Sequence, residues 1–166
     1  MSRRHRESSR FISARPSQVF AFVDDHSRLS AHMESSSWMM GGGRMAIATD
    51  DAKGQAVGSH IRMGGRVFGI RIFLDEVVTR RDPPQHKAWE TVGVPKLLVI
   101  GSYRMGFDIR PTKGGSDLRV FIDYDLPSGP IARLLGRLFA DWYAKWCVDQ
   151  MLVAPAEAFG TNVVAA

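Results

Sequence analysis

Tyr103 and Tyr124 are the polar side chains best placed to do chemistry in this sequence. Each sits among alternating residues on the side shared with apolar neighbours. A buried phenol needs a hydrogen-bond partner, and a ligand carbonyl or hydroxyl can supply one. His60, between Ser59 and Ile61, is a candidate general base, against the simpler reading of a surface or hydrogen-bonded histidine. His26 and His32 lie near Asp25 and Glu34, but their six-residue gap is not the i, i+4 spacing of a helical histidine pair, so no metal centre is expected. Cys147, beside Trp146, reads as a small packed side chain because no partner base is identifiable. Glu76 and Glu90 show no spacing that pairs them. Gly41-Gly42-Gly43-Arg44 lacks the Lys-Ser/Thr of a phosphate loop, and Gly64-Gly65 reads as a hairpin rather than a dinucleotide fingerprint. No cofactor is expected.

Composition narrows the class. At 166 residues, 45% hydrophobic and 23% charged, the chain fits a single globular domain. The net charge of +5 is concentrated: Arg3, Arg4, Arg6 and Arg10 against Glu7 place +3 in the first ten residues, leaving +2 for the rest. Stacking motifs, recognition helices and zinc-knuckle spacings are missing, so nucleic acid is not expected as a partner. Residues 1–7 read as a flexible basic tail, 8–160 as one domain and 161–166 as a second tail. The arginines leave room for weak contact with an anionic membrane surface. A single cysteine allows no intramolecular disulfide, which favours a cytoplasmic setting, and no signal peptide or membrane-spanning run is visible.

The elements that would position these groups are a strand over Ser8–Ala14, a short helix from Pro16 with Val19, Phe20 and Val23 inward, and a second from His26 to about Met33. Trp38-Met39-Met40, between Ser35-Ser36-Ser37 and the glycine run, reads as a turn on the core or a loop over a pocket. Strands are expected over Arg44–Thr49, Val57–Met63, Arg66–Arg80, Lys87–Val92, Leu97–Arg110 and Asp117–Leu126. With no helical crossovers between them, they pair antiparallel. Alternation puts Leu97, Val99, Tyr103, Met105, Phe107 and Ile109 on one face, and Leu118, Val120, Ile122, Tyr124 and Leu126 on another single face. The cover is a helix from Ser128 to about Phe159, opened by Ser128-Gly129-Pro130, with Pro155 disturbing its last turns. Its apolar spacing predicts Ile131, Leu135, Leu138, Phe139, Trp142, Trp146 and Leu152 as the inner stripe.

This order resembles the helix-grip fold of the START-related (SRPBCC) superfamily, which includes the birch-pollen-allergen type. The resemblance is carried by Ile12-Ser13-Ala14-Arg15-Pro16-Ser17-Gln18-Val19-Phe20, by Val77-Val78-Thr79-Arg80-Arg81-Asp82-Pro83-Pro84, and by Tyr124-Asp125-Leu126-Pro127 with Leu134-Leu135-Gly136-Arg137-Leu138. It spans about Ser8 to Phe159 and points to the polyketide cyclase/dehydrase-like branch. The resemblance implies an α+β fold: a curved antiparallel sheet of about seven strands, two short helices and a long C-terminal helix enclosing a hydrophobic tunnel. It also implies a small hydrophobic ligand, such as a lipid, an isoprenoid quinone or a polyketide-like molecule, in a carrier or sensor. The candidate lining is Trp89, Tyr103, Met105, Tyr124, Leu138, Trp142, Trp146 and His60. The alternatives are a cyclase/dehydratase-like enzyme using the tyrosines or His60, and an interaction or membrane-surface module. The oligomeric state is open, a homodimer included.

Overall fold

The computed structural model describes residues 3–29 and 45–160. Seven strands form one antiparallel sheet in the order β1-β7-β6-β5-β4-β3-β2. They are β1 (Arg4–Ile12), β2 (Met45–Thr49), β3 (His60–Val67), β4 (Ile70–Asp82), β5 (His86–Thr91), β6 (Tyr103–Thr112) and β7 (Gly115–Tyr124). Helices α1 (Pro16–Val23) and α2 (His26–Leu29) follow β1, and α3 (Pro130–Met151) and α4 (Val153–Phe159) end the chain. This is the expected helix-grip α+β architecture. The end of the second helix, expected to reach about Met33, residues 38–40, expected as a turn on the core or a loop over a pocket, and the tail expected at 161–166 lie outside the described residues.

Alternation explains the core. Tyr103, Met105, Phe107 and Ile109 of β6 and Leu118, Val120, Ile122 and Tyr124 of β7 are all buried, as the period of two requires. β4 is long, and a register shift between Val78 and Arg80 breaks its pairing with β5. Such a bulge bends a strand and increases its twist, which helps the sheet curve around its contents.

Four expectations are corrected. The strand expected from Ser8 starts at Arg4, because residues from Arg4 onward pair with β7, with Arg4 opposite Tyr124. The arginines of the expected tail are paired as well, Arg6 with Asp141 at 3.1 Å and Arg4 with the same carboxylate at 3.4 Å. The β3–β4 turn lies at Phe68-Gly69 rather than Gly64-Gly65: Phe68 and Gly69 both take positive φ (50° and 75°), as a tight primed turn demands, while Gly64 and Gly65 pair within the strands. Residues 97–102, expected as the start of a strand, form a strap instead. Phe73 and Lys96 exchange backbone hydrogen bonds, and Gly101 then donates to the Asp125 carbonyl, so the chain crosses from the β4 side to the β7 side.

The fourth correction concerns the long helix. Its buried residues are Gly136, Ala140, Ala144, Cys147, Val148 and Met151, whereas Ile131, Leu135, Leu138, Phe139 and Trp142 are exposed. Trp146 is half-buried against the core and Leu152 is buried. The reason is distance. A Cβ built on Gly136 would lie 2.8 Å from Pro127 Cδ and 2.9 Å from the Val99 carbonyl oxygen. Small residues at 136, 140 and 144 let the helix axis come down close over β1 and β7, and large side chains fit only on the far side. The helix stops at Met151, four residues before Pro155, whose ring and missing N–H are incompatible with a continuing α-helix at that carbonyl.

The packing predicts that Gly136→Ala destabilises the protein by about 1–3 kcal/mol, as overpacking does, even though alanine is favoured over glycine inside helices by about 1 kcal/mol. Urea unfolding of the two proteins checks this, and a gain in stability would contradict the close approach.

Candidate functional site

Between the sheet and α3 lies a cavity offering about 40 Å³ to the centres of water-sized spheres. That is room for a few water molecules, each needing about 10–15 Å³ on this measure. Its walls come from three sources. The sheet supplies Met63, Leu74, Glu76, Trp89, Met105 and Ile122; α3 supplies Tyr143, Cys147 and Met151; and the strap supplies Leu97 and Ile100. Tyr103 and His26 complete the lining. Trp89 is opposite Met105 across β5–β6, and Met105 is opposite Ile122 across β6–β7, so these three form one row under the helix.

The lining is apolar apart from one cluster. On β4, Ile72, Leu74 and Val78 are buried, and Glu76 lies in the same alternating series with 1% of its surface exposed. The Tyr103 hydroxyl donates to Glu76 Oε1, the Trp89 indole also donates to this carboxyl, and His26 Nε2 lies 3.4 Å from its Oε2. His26 is itself buried and meets the Trp89 ring edge-on at 5.2 Å between centroids. Its position is set by the preceding residues: Asp24 receives Lys87 at 2.9 Å and Arg81 at 2.9 Å, which ties the end of α1 to β4 and β5.

Burial pushes Glu76 up to about 7, opposed by the hydrogen bonds from Tyr103 and Trp89. Burial, then the adjacent Glu76 charge, pushes the Tyr103 phenol well above its ordinary range. Cys147 is pushed up to about 12 by burial, so near neutral pH it is a thiol and not a nucleophilic thiolate. A carboxyl that titrates near neutrality, a neutral phenol and an imidazole thus meet in the lining of one largely apolar space. They can anchor one polar group of a bound molecule, or move a proton to or from it.

Of the residues named from sequence, Trp89, Tyr103 and Met105 line this cavity. Trp146 packs on the core and stacks tilted against Tyr143, with 6.0 Å between centroids. Tyr124 is buried, but its hydroxyl reaches past the cavity to Asp141 of α3. Leu138 and Trp142 face outward because the small-residue side of α3 faces in. His60 is partly exposed and hydrogen-bonds Asp75 at 2.9 Å on the opposite face of β4 from Glu76. Glu76, His26, Tyr143 and Cys147 were not among the residues expected at the site. Glu76 was accessible from β4's alternation, where it is the one acidic residue in an apolar series. His26 carried no such signal, because a four-residue helix has no periodicity to read.

The raised Glu76 sets a stability–pH relation. The unfolded chain gives up this proton near 4.5 and the folded one near 7. The contribution is therefore fully present below about pH 4.5 and lost as pH rises to about 7, about 3 kcal/mol in all on an order-of-magnitude basis. Glu76→Gln removes this loss. The stability difference between variant and wild type, followed by urea unfolding from pH 4 to 8, should shift in the variant's favour by roughly that amount. A difference that does not vary with pH would contradict the burial of an ionisable Glu76.

The sequence profile of the family "Polyketide cyclase / dehydrase and lipid transport" matches residues 3–159. No curated protein matches the chain in sequence. Among solved structures, norcoclaurine synthase from Thalictrum flavum in complex with dopamine and hydroxybenzaldehyde is similar in fold, at 12% identity and a TM-score of 0.66, covering 95% of this chain and 86% of that one. The Zhui aromatase/cyclase from a Streptomyces species has 13% identity and a TM-score of 0.63, covering 98% and 100%. A Thermus thermophilus protein has 14% identity and a TM-score of 0.68, covering 93% and 95%. At these identities the structures share the fold alone. The profile spans nearly the whole described chain, strap, cavity and long helix included, and the protein belongs to the polyketide cyclase/dehydrase and lipid-transport family of SRPBCC helix-grip proteins.

Proposed function

We propose that this protein holds a small hydrophobic molecule in the cavity between the sheet and α3, as a carrier or sensor. Glu76, Tyr103 and His26 orient the molecule's polar end. The observation that carries the reading is the convergence of three buried polar groups in the lining of an otherwise apolar cavity. Burying such groups costs free energy that core packing alone does not require. The space is smaller than any lipid, quinone or polyketide, so binding expands it. Met63, Met105 and Met151 have unbranched, adaptable side chains suited to that adjustment. Norcoclaurine synthase, with its two bound aromatic molecules, is a relative in fold that holds ligands of this general kind. The lone buried thiol of Cys147 suits a reducing, cytoplasmic setting.

Native mass spectrometry of protein purified from a cell extract tests the reading. A stoichiometric hydrophobic mass is expected, with Tyr103→Phe and Glu76→Gln each weakening its retention about tenfold, the scale of one lost buried hydrogen bond to a charged or polar partner. A clean apo mass, together with no rise in melting temperature on adding a fatty acid, an isoprenoid quinone or an aromatic polyketide, would overturn it.

The acid–base character of the cluster favours a second reading, catalysis of a cyclisation or dehydration on a poly-keto substrate. Glu76 titrating near neutrality can take a proton from a carbon beside a carbonyl, and Tyr103 can hydrogen-bond the carbonyl oxygen. Turnover of a poly-keto probe that Glu76→Gln abolishes while the probe still binds would establish the enzyme. Binding without turnover in wild-type protein leaves the carrier.

A further inference from the structure

The small residues that seat α3 force its large apolar residues outward, where none of the described elements covers them. Ile131 is 77% exposed, Leu134 59%, Leu135 41%, Leu138 65%, Phe139 47% and Trp142 53%. At 100° per residue, five of these fall within an arc of about 100° directly opposite the buried small residues, with Phe139 about 40° beyond it. This is a continuous apolar stripe along the first half of the helix.

Charge indicates what the stripe meets. From Leu126 to Ala140 the sequence holds Arg133 and Arg137, both exposed, and no acidic residue. The acids bounding this stretch are already paired: Asp125 lies 3.9 Å from Arg3, and Asp141 accepts from Tyr124 and pairs with Arg4 and Arg6. The projecting half-helix is thus apolar and cationic, with aromatic side chains at the C-terminal end of the stripe. At 100° per residue the two arginines lie off the stripe, about 110° (Arg137) and 150° (Arg133) from its centre. The half-helix is therefore apolar on one face and cationic on the other, the pattern of a helix that lies in a membrane interface. An anionic bilayer satisfies both features, taking the apolar side chains below its headgroups and the guanidinium groups at its phosphates.

The strap wall of the cavity lies across α3 from the stripe. The strap residue Val99 lies directly beneath Gly136, and its neighbours Leu97 and Ile100 line the cavity. On the same crossing, Val94 is 84% exposed. We propose that the N-terminal half of α3 docks on an anionic membrane surface through its outward stripe, with the helix between the bilayer and the strap wall of the cavity. The docking stands on the helix alone. Its link to the cavity rests on the ligand-binding reading above.

Co-sedimentation with phosphatidylcholine vesicles, with and without phosphatidylglycerol, tests the docking. Binding is expected only when phosphatidylglycerol is present and should weaken as salt rises. It should fall at least about tenfold in Leu138→Glu and, through lost charge attraction, by several-fold in Arg137→Glu. Both positions are exposed, so unfolding temperatures should match wild type. Absence of sedimentation with phosphatidylglycerol vesicles would overturn the proposal, as would Leu138→Glu binding like wild type. A dimer that Leu138→Glu splits into monomers, while vesicles leave the protein in the supernatant, would assign the face to a second copy instead. Ligand binding is read separately: a hydrophobic ligand added in solution should still raise the melting temperature of Leu138→Glu.

Discussion

The close seating of α3 on the sheet is the contact on which the rest of this structure depends. Gly136, Ala140 and Ala144 repeat at four-residue intervals and present almost no side chain, so the helix settles close over the sheet and meets the strap backbone at Val99. Farther along, Tyr143, Cys147 and Met151 replace the small residues on the cavity side. The gap they leave is too narrow for a solid second layer and too wide to close completely. One helix therefore does two things: its first half clamps the strap and its second half roofs the cavity. The outward display of leucines and Trp142 follows from the same seating.

Inside, the energetics turn on a carboxyl that the apolar environment resists. Glu76 is held by donors from Tyr103 and Trp89 rather than by a full counter-charge, so its ionisation stays costly and its proton is held to near neutrality. A protein selected for stability alone would fill this position with a residue like its neighbours Leu74 and Val78. A buried acid among a phenol, an indole and an imidazole is what supports the site proposed above. Asp24 differs in kind. That carboxylate is also buried, but it is paired with Lys87 and Arg81, and this pairing ties α1 to the sheet.

Much of the fold was legible because strand alternation is a strong signal. The inward faces of β6 and β7 follow from it, while the α1 core residues Val19, Phe20 and Val23 follow from helical spacing. Tyr103 and Met105 line the cavity because of the same strand alternation. The helix was misread because a hydrophobic pattern reports affinity for an apolar environment, whereas seating is decided by volume. In α3 these two criteria select opposite faces. Glu76 was readable from β4's alternation, but a search for paired carboxylates passed over an acid whose partners are a tyrosine and a tryptophan. The β3–β4 turn was misplaced because glycine pairs advertise turns, while Phe68, at positive φ, gives no such signal. The strap is set by how the chain must cross an open sheet end, a tertiary constraint no local pattern records.

A crystal structure of protein purified with its retained ligand tests the central claim most directly. The account predicts an apolar molecule lying between the Trp89–Met105–Ile122 row and Tyr143, in a cavity widened by shifted methionines. The molecule's polar end should lie within hydrogen-bonding distance of Glu76, Tyr103 or His26. A cavity still closed around a few waters, with the ligand elsewhere on the surface, would contradict it.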